Sequence, residues 1–401
     1  MTIIEGTMTQ TPTYADNLME LSVVMPCLNE ADTLGICIEK AQRAMREHDI
    51  SGEIVIADNG STDGSVAIAN KLGARLVPVA ERGYGAALRG GITAAKGRYV
   101  IMGDADDSYD FLDIPKFVDQ LREGHDLVMG CRLPGGGGTV RKGAMPTLHR
   151  WWGNPMFSAM VRRMFRAPIH DVYCGLRGFT KDLYERLDLR CTGMEFATEM
   201  VIKSSLFKVR IAEVPITLHP DGREAHAPHL RTFSDGWRTL RFFMLYSPKW
   251  LFMVPGALTG TLGVAAWTLA LMRIEIQSVR FDAHTLLFGS LFMILGYQSV
   301  LFGLLTKLFA IGERLQPEDP RLSRIVRVIS LERALLVSTA ILVTGAAFLI
   351  MAISQWRATE FGSLDYAQTM RLVVPGVTLT ALGFQTILAS FFISVLGLKH
   401  R

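Results

Sequence analysis

The chain has 401 residues, 49% of them hydrophobic, and 42 Lys and Arg against 38 Asp and Glu give a formal net charge of +4. So small an excess excludes a whole-chain polycation of the kind that holds nucleic acid by charge alone, and the length suffices for about two domains of roughly 150 residues each. Mean hydropathy is +0.25, but apolar residues crowd beyond Trp250, so a soluble part is expected first and a membrane part after it.

Residues 1–20 carry Glu5, Asp16 and Glu20 and lack a basic segment followed by an apolar one, so they read as a flexible tail and not as a signal peptide. The five cysteines, Cys27, Cys37, Cys131, Cys174 and Cys191, form no CxxC pair and suit a reducing cytoplasm. From Leu21 to Cys131 short β-rich runs alternate with helical patterns: LSVVMP, EIVIAD, RLVPVA, RYVIMGD and DLVMGC. Strands apolar throughout and separated by helices predict parallel βαβ units with both sheet faces covered. Ligands of such sheets bind beyond the carboxyl ends of the strands. Asn29 and Glu30, Asp58 and Asn59, and Asp104 and Asp106 sit at those ends.

PGGGGT at 134–139 predicts a mobile loop, in the position of a lid. A helix near 150–166, a strand near 174–180, a helix near 194–206 and the strand RIAEVPITL follow. HLRTFSDGWRTLRFFMLYSPKW at 229–250 interleaves Arg231, Arg238, Arg241 and Lys249 with aromatic rings, as expected of a helix lying in lipid headgroups. Four uncharged stretches, 250–272, 285–306, 334–356 and 372–398, each reach the length of a membrane span. Arg314, Arg321, Arg324, Arg327 and Arg333 fall between the second and third, and positive loops stay inside. That places both termini and the soluble domain on the cytoplasmic side of the cytoplasmic (inner) membrane.

GDADDSYD at 103–110 is the most informative motif, because Asp-x-Asp at a strand end can hold Mg²⁺ or Mn²⁺ against a diphosphate. An acidic surface turn is its bland alternative. In VIADNGSTDGS, Asp58 could accept from a ribose or base edge, while Ser61, Thr62 and Asp63 either present helix amides to a nucleotide or only cap the next helix. GxGxxL within ERGYGAALRGG lacks the third glycine of a dinucleotide fingerprint and is weak evidence for NAD. His219, His226 and His229 flank Pro220 and Pro228 in an irregular loop, which speaks against zinc.

The ordered set PCLNEA, DNGSTDGS, RGYGAALRGG and GDADD resembles glycosyltransferase family 2, whose catalytic domain has the GT-A (Rossmann-like) fold. GCR at 130–132, DVYCGLRGF at 171–179 and GMEFATEM at 193–200, with four spans after them, are similar to its polyprenyl-phosphate branch, the dolichol-phosphate-mannose and undecaprenyl-phosphate-sugar synthases. The resemblance implies an α/β GT-A domain over 21–228, a juxtamembrane amphipathic helix over 229–249 and a four-helix transmembrane region over 250–401. It implies nucleotide contacts from Pro26, Asn29, Glu30 and Asp58, with Gly83 opening the third motif beside them, metal and diphosphate work at Asp104 and Asp106, and a phosphate facing Arg132. Ser108 stands where many relatives have glutamine, so a third metal contact there is doubtful and Asp107 is its substitute. The activity implied is inverting transfer from a nucleotide-sugar, a UDP-sugar favoured over GDP-mannose, to a polyprenyl (undecaprenyl or dolichyl) phosphate.

Such an acceptor is already ionised near neutral pH, so arginines should outweigh a base: Arg132, Arg150 and Arg223, with Lys142 on the loop. Glu195 and Glu199, four apart, share a helix face that orients the sugar or an arginine, or is simply solvated. The implied partners are the donor, the lipid phosphate and the bilayer, with no nucleic acid and a homo-oligomer left open. Two readings compete. A processive polysaccharide synthase would carry Q-x-x-R-W, but Thr147 stands at the glutamine position before Arg150 and Trp151. A non-catalytic nucleotide-binding membrane protein would not need the acidic motif.

Overall fold

The computed structural model describes residues 19–222, 232–276, 279–313, 315–320, 322, 324 and 330–398. The chain divides into two compact units between Leu240 and Arg241.

The first unit is built on a seven-stranded sheet. Its strands are β1 (Leu21–Cys27), β2 (Gly52–Asp58), β3 (Arg75–Pro78), β4 (Tyr99–Met102), β5 (Leu127–Cys131), β7 (Arg177–Thr180) and β8 (Ile211–Pro215), in the spatial order β3-β2-β1-β4-β7-β5-β8. Helices α1 (Leu34–Glu47), α2 (Ser65–Lys71), α3 (Tyr84–Ala94) and α4 (Ile114–Arg122) return the chain between the first five strands, and α5 (Asn154–Phe165) and α6 (Lys181–Leu187) precede and follow β7 in the chain. Leu21, Val23, Met25, Ile56, Val100, Ile101 and Val128 are fully buried, as strands covered on both faces require.

The parallel set is interrupted where the sequence suggests continuity. β7 lies antiparallel between β4 and β5, with Arg177 opposite both Met102 and Met129. The segment 132–176 leaves β5 at the carboxyl edge of the sheet and re-enters at that same edge, so β7 must run the other way. The glycine-rich stretch also differs from expectation. It folds as a tight turn, with Gly136 and Gly138 donating to Leu133 O, before β6 (Thr139–Val140) pairs with β9 (Thr217–Leu218). A Cβ on Gly138 would lie 2.0 Å from Cys131 O, so glycine serves close approach here and not a loose lid. RIAEVPITL is accordingly split between β8 and β9.

Helix α8 (Thr232–Tyr246) occupies the basic aromatic stretch, with Trp237, Arg238, Arg241 and Leu245 exposed. Among the described residues of the second unit four helices are long and apolar enough to cross a membrane: Lys249–Leu271, Ala283–Gly312, Leu331–Ala358 and Tyr366–Leu396. They outrun the expected uncharged cores and take Lys307, Glu332, Arg333, Arg357 and Arg371 into their ends, where long side chains reach the interface. Glycines set the close approaches: a Cβ on Gly296 would lie 2.4 Å from Gly260 N, and one on Gly345 2.5 Å from Thr380 N. Ser290 with Thr378 and Tyr297 with Thr386 join the second and fourth helices by hydrogen bonds. Of the arginines used for orientation, Arg314, Arg321 and Arg327 lie outside the described residues.

Candidate active site

The carboxyl ends of β1, β2 and β4 meet in one cluster of loops. Asn29, at φ 60°, donates its amide to Ser61 Oγ at 3.0 Å and accepts from Thr62 N at 2.8 Å. Glu30 N donates to Ser65 Oγ at 2.9 Å and Ala31 N to Asp63 Oδ2 at 2.9 Å. Ser61 to Asp63 thus mainly tie two loops together. The residue before α2 is Gly64, which has no side-chain cap. Asp58 is buried and accepts from the amides of Gly60 and Ser61, while Pro26 lies in β1 opposite Ala57.

The acidic loop is held from several sides. Thr33 donates to Ala105 O at 2.6 Å, and Ala105 is buried between the two aspartates. Ser108 donates its amide and hydroxyl to Asp106 Oδ1, at 3.0 and 2.6 Å. Tyr84 donates its hydroxyl to Asp104 Oδ1 at 2.8 Å. Burial, with the Asp104 charge beside it, pushes the Tyr84 phenol well up, so it stays a donor. Asp107, at φ 58°, pairs with Lys40 at 2.8 Å, so its expected role as the substitute metal contact gives way to an ion pair across to α1.

Among the described residues no three His, Cys, Asp or Glu side chains converge as a metal cage. A magnesium-type site needs no such cage, since it holds a few carboxylate oxygens and keeps positions for phosphate and water. Asp104 and Asp106 supply hard oxygen donors from one short, clamped stretch, and this donor set fits such an ion.

Behind this loop the first turn of α3 is fixed. Gly83, at φ 137°, donates to Asn59 Oδ1 at 2.8 Å, and a Cβ there would lie 2.4 Å from Thr192 O. Ala86 N donates to that same carbonyl at 3.0 Å. The 190–193 segment is held in turn by Glu199, on α7 (Glu195–Leu206), whose Oε2 accepts from Arg190 N and Cys191 N. Glu199 is fully buried against Lys203 at 2.9 Å, not a solvated face. Glu195 opens the helix and lies 3.5 Å from Arg238.

The candidate arginines separate. Arg132 is buried and does not present an open fork: its Nε and Nη2 donate to Asp171 at 2.7 and 2.9 Å, which corrects the expectation that it faces a phosphate. Arg150 lies in a π-helical turn, His149–Gly153, with its guanidinium 5.3 Å from the Trp151 ring. Trp151 and Trp152 are exposed. Lys142 is exposed, and Arg223, His226 and His229 lie outside the described residues. Sequence reasoning missed Tyr84, Asp171 and Arg177. The last is fully buried and donates to the carbonyls of Cys174 and Ala197. The one signal for Tyr84 was its place between two glycines.

Comparison with known proteins bears on this geometry. The family model for glycosyl transferase family 2 matches residues 22–188, and that for the glycosyltransferase family 2 C-terminal transmembrane region matches residues 304–397. The low-salt glycan biosynthesis hexosyltransferase Agl6 of Haloferax volcanii is 35% identical over 378 residues, 94% of this chain and 89% of that protein. A dolichyl-phosphate hexose transferase of the same organism is 33% identical over 54% of this chain and 89% of its own length. A dodecaprenyl-phosphate galacturonate synthase of Rhizobium johnstonii is 29% identical over 63% of this chain and 74% of its own. A sheet carrying an acidic loop at its carboxyl edge, four membrane helices and a relative alike over nearly the whole chain lead to one assignment: the protein belongs to glycosyltransferase family 2, as an integral membrane glycosyltransferase with a GT-A catalytic domain.

Proposed function

We propose that this glycosyltransferase moves a sugar from a nucleotide-sugar, a UDP-sugar before GDP-mannose, to a polyprenyl phosphate at the cytoplasmic face, with inversion at the anomeric carbon. The observation that carries the reading is the clamped pair Asp104 and Asp106 at the carboxyl edge of the sheet, in a chain that also spans the membrane. The names of two relatives, which specify dolichyl and dodecaprenyl phosphate, support the choice of acceptor.

In this reading the loops of Pro26, Asn29, Glu30, Asp58 and Gly83 hold the nucleotide. Asp104 and Asp106 hold Mg²⁺ or Mn²⁺. Bound there, the cation supplies charge neutralisation to the departing nucleoside diphosphate. An ionised phosphate oxygen of the lipid forms the new bond to the anomeric carbon as the bond to the diphosphate oxygen breaks on the opposite face. The electron pair leaves with the nucleoside diphosphate and no proton has to move. Positioning and cationic side chains therefore matter more than a general base. Arg150 and Lys142 are the described candidates to meet acceptor phosphate, Arg223 joins them from sequence, and Glu195 orients sugar or arginine.

Purified protein given UDP- and GDP-sugars with undecaprenyl, dodecaprenyl or dolichyl phosphate and either cation should yield a lipid-linked monosaccharide by mass spectrometry. NMR of the product should give the anomer opposite to that of the donor. A long polymer, or no lipid-linked sugar from any donor, would overturn the reading.

A further inference from the structure

We propose that Tyr84 is the positioning residue for Asp104, setting the direction in which that carboxylate meets a divalent cation. The inference rests on the metal reading above and adds to it the residue that makes one ligand rigid.

A carboxylate at a strand end can turn about its side-chain bonds, and an oxygen donor to Mg²⁺ or Mn²⁺ binds well only when held in place. Ligands of this kind are oriented by hydrogen-bond donors behind them. Ser108 does this for Asp106 from within the loop itself. For Asp104 the donor comes from another element, the Tyr84 hydroxyl at 2.8 Å across 20 residues of chain. Opposite it the Gly175 backbone closes in: a Cβ there would lie 2.7 Å from Asp104 Oδ2 and 3.1 Å from the Tyr109 ring. Tyr109 fixes that backbone by accepting from Gly175 N at 2.8 Å.

Tyr84 can orient another group because its own backbone has little freedom. Gly83 is bound to Asn59, Ala86 is bound to Thr192, and a Cβ on Gly85 would lie 2.7 Å from both Cys191 O and Gly193 O. The flanking glycines let the turn sink against the 191–193 segment, and the tyrosine is the one long side chain in that turn. Buried Glu199, itself paired with Lys203, holds the same segment from behind through Cys191 N. The rigidity of α7 is thereby passed to Asp104 through the Tyr84 phenol.

The full chain in detergent would be titrated with Mn²⁺ alone and free ion read by electron paramagnetic resonance. Tyr84→Phe keeps the ring and should weaken Mn²⁺ binding by about 10- to 100-fold, with broadened bound-ion lines. Site-specific 4-aminophenylalanine at position 84 restores an N–H donor and should recover most of the affinity. Wild-type affinity in Tyr84→Phe, or no recovery with the amine, overturns the inference and leaves the metal reading standing. If the wild type binds no Mn²⁺ saturably, or Asp104→Asn binds it equally well, the metal role of Asp104 fails and the inference fails with it.

Discussion

Asp171→Ala should be among the most destabilising single changes in the first unit. The Asp171 side chain is fully buried and that of Arg132 is 9% exposed. Oδ2 accepts from the Arg132 amide at 3.0 Å and from Nε at 2.7 Å, and Oδ1 accepts from Nη2 at 2.9 Å. Burial alone would raise the Asp171 pKa, yet the Arg132 charge and these bonds hold it below the usual carboxylate range. Removing one partner of such a pair leaves a buried charge uncompensated, at a cost of about 3–5 kcal/mol. At roughly 2–4 °C per kcal/mol for a unit of this size, the melting point should fall by about 6–20 °C. Removing both charges, as in Asp171→Leu with Arg132→Met, also removes the desolvation cost and should come back close to wild type. A thiol-reactive dye isolates the relevant transition, because all five cysteines lie before residue 240 and four are buried. Burial pushes Cys37, Cys131 and Cys174 up to about 12, so these thiols react only on unfolding. A single variant within about 1 kcal/mol of wild type, or a double variant no better than the single, would refute the reasoning. A double variant that is stable but inactive would instead return Arg132 to the phosphate.

Asp106→Asn should lower transfer by on the order of 100-fold or more with the melting point retained, and near-wild-type turnover would remove the metal role. Gly83→Ala places a side chain at φ 137° and 2.4 Å from Thr192 O, so a loss of about 1–3 kcal/mol by dye melting and a drop in turnover are expected. Glu53 gives a pH test. Burial would raise its pKa, but Arg75, the Lys96 amide and Ser22 together lower it below its ordinary 4.5, so its stabilisation is present above that value and is lost as pH falls through the folded one. The melting deficit of Glu53→Gln at pH 7 should therefore shrink below pH 4.5, and a constant gap down to pH 3 would contradict the assignment. Gly296→Leu forces apart helices whose backbones pass within a Cβ's reach, and an unchanged melting profile of the detergent-purified chain would count against that packing.

The parts legible in sequence are those whose signal is local. β1, β2, β4 and β5 are runs of buried apolar residues, and Asn29, Glu30, Asp58, Asp104 and Asp106 follow from the rule that polar strand ends gather at the carboxyl edge. β7 falls within the strand expected near 174–180, but its antiparallel direction is not legible, because it is set by where segment 132–176 starts and stops. The glycines at 135–138 have one composition for two opposite uses, looseness and close approach, and only the position of Cys131 decides between them. Glu195 and Glu199 read as one helix face that orients the sugar or an arginine or is simply solvated, and nothing local announces that Glu199 is turned inward against Lys203. Asp171 with Arg132 and Tyr84 with Asp104 join positions 39 and 20 residues apart, with no periodicity to link them.

These pairings share a physical cause. A ligand-binding edge of a sheet has to be polar, so the loops that form it cannot be fixed by an apolar core as α1 and α4 are. Charges and carbonyls take that part instead. Arg132 with Asp171 fastens the exit of β5 to the 171–175 segment, and Arg177 ties that segment to α7 through the carbonyls of Cys174 and Ala197. Lys203, donating to Leu187 O and Asp188 O while paired with Glu199, fastens the 187–191 segment to the same helix. Arg177 donates its fork to the backbone carbonyls of Val172, Cys174 and Ala197, and burial lowers its pKa. A lysine could not span those carbonyls, because its three donors diverge from one atom, whereas the planar guanidinium reaches separate acceptors at once. α7 is therefore the frame on which the 174–177 and 187–191 segments of that edge are hung, while the acidic loop 104–110 is held separately by Thr33, Lys40 and Tyr84.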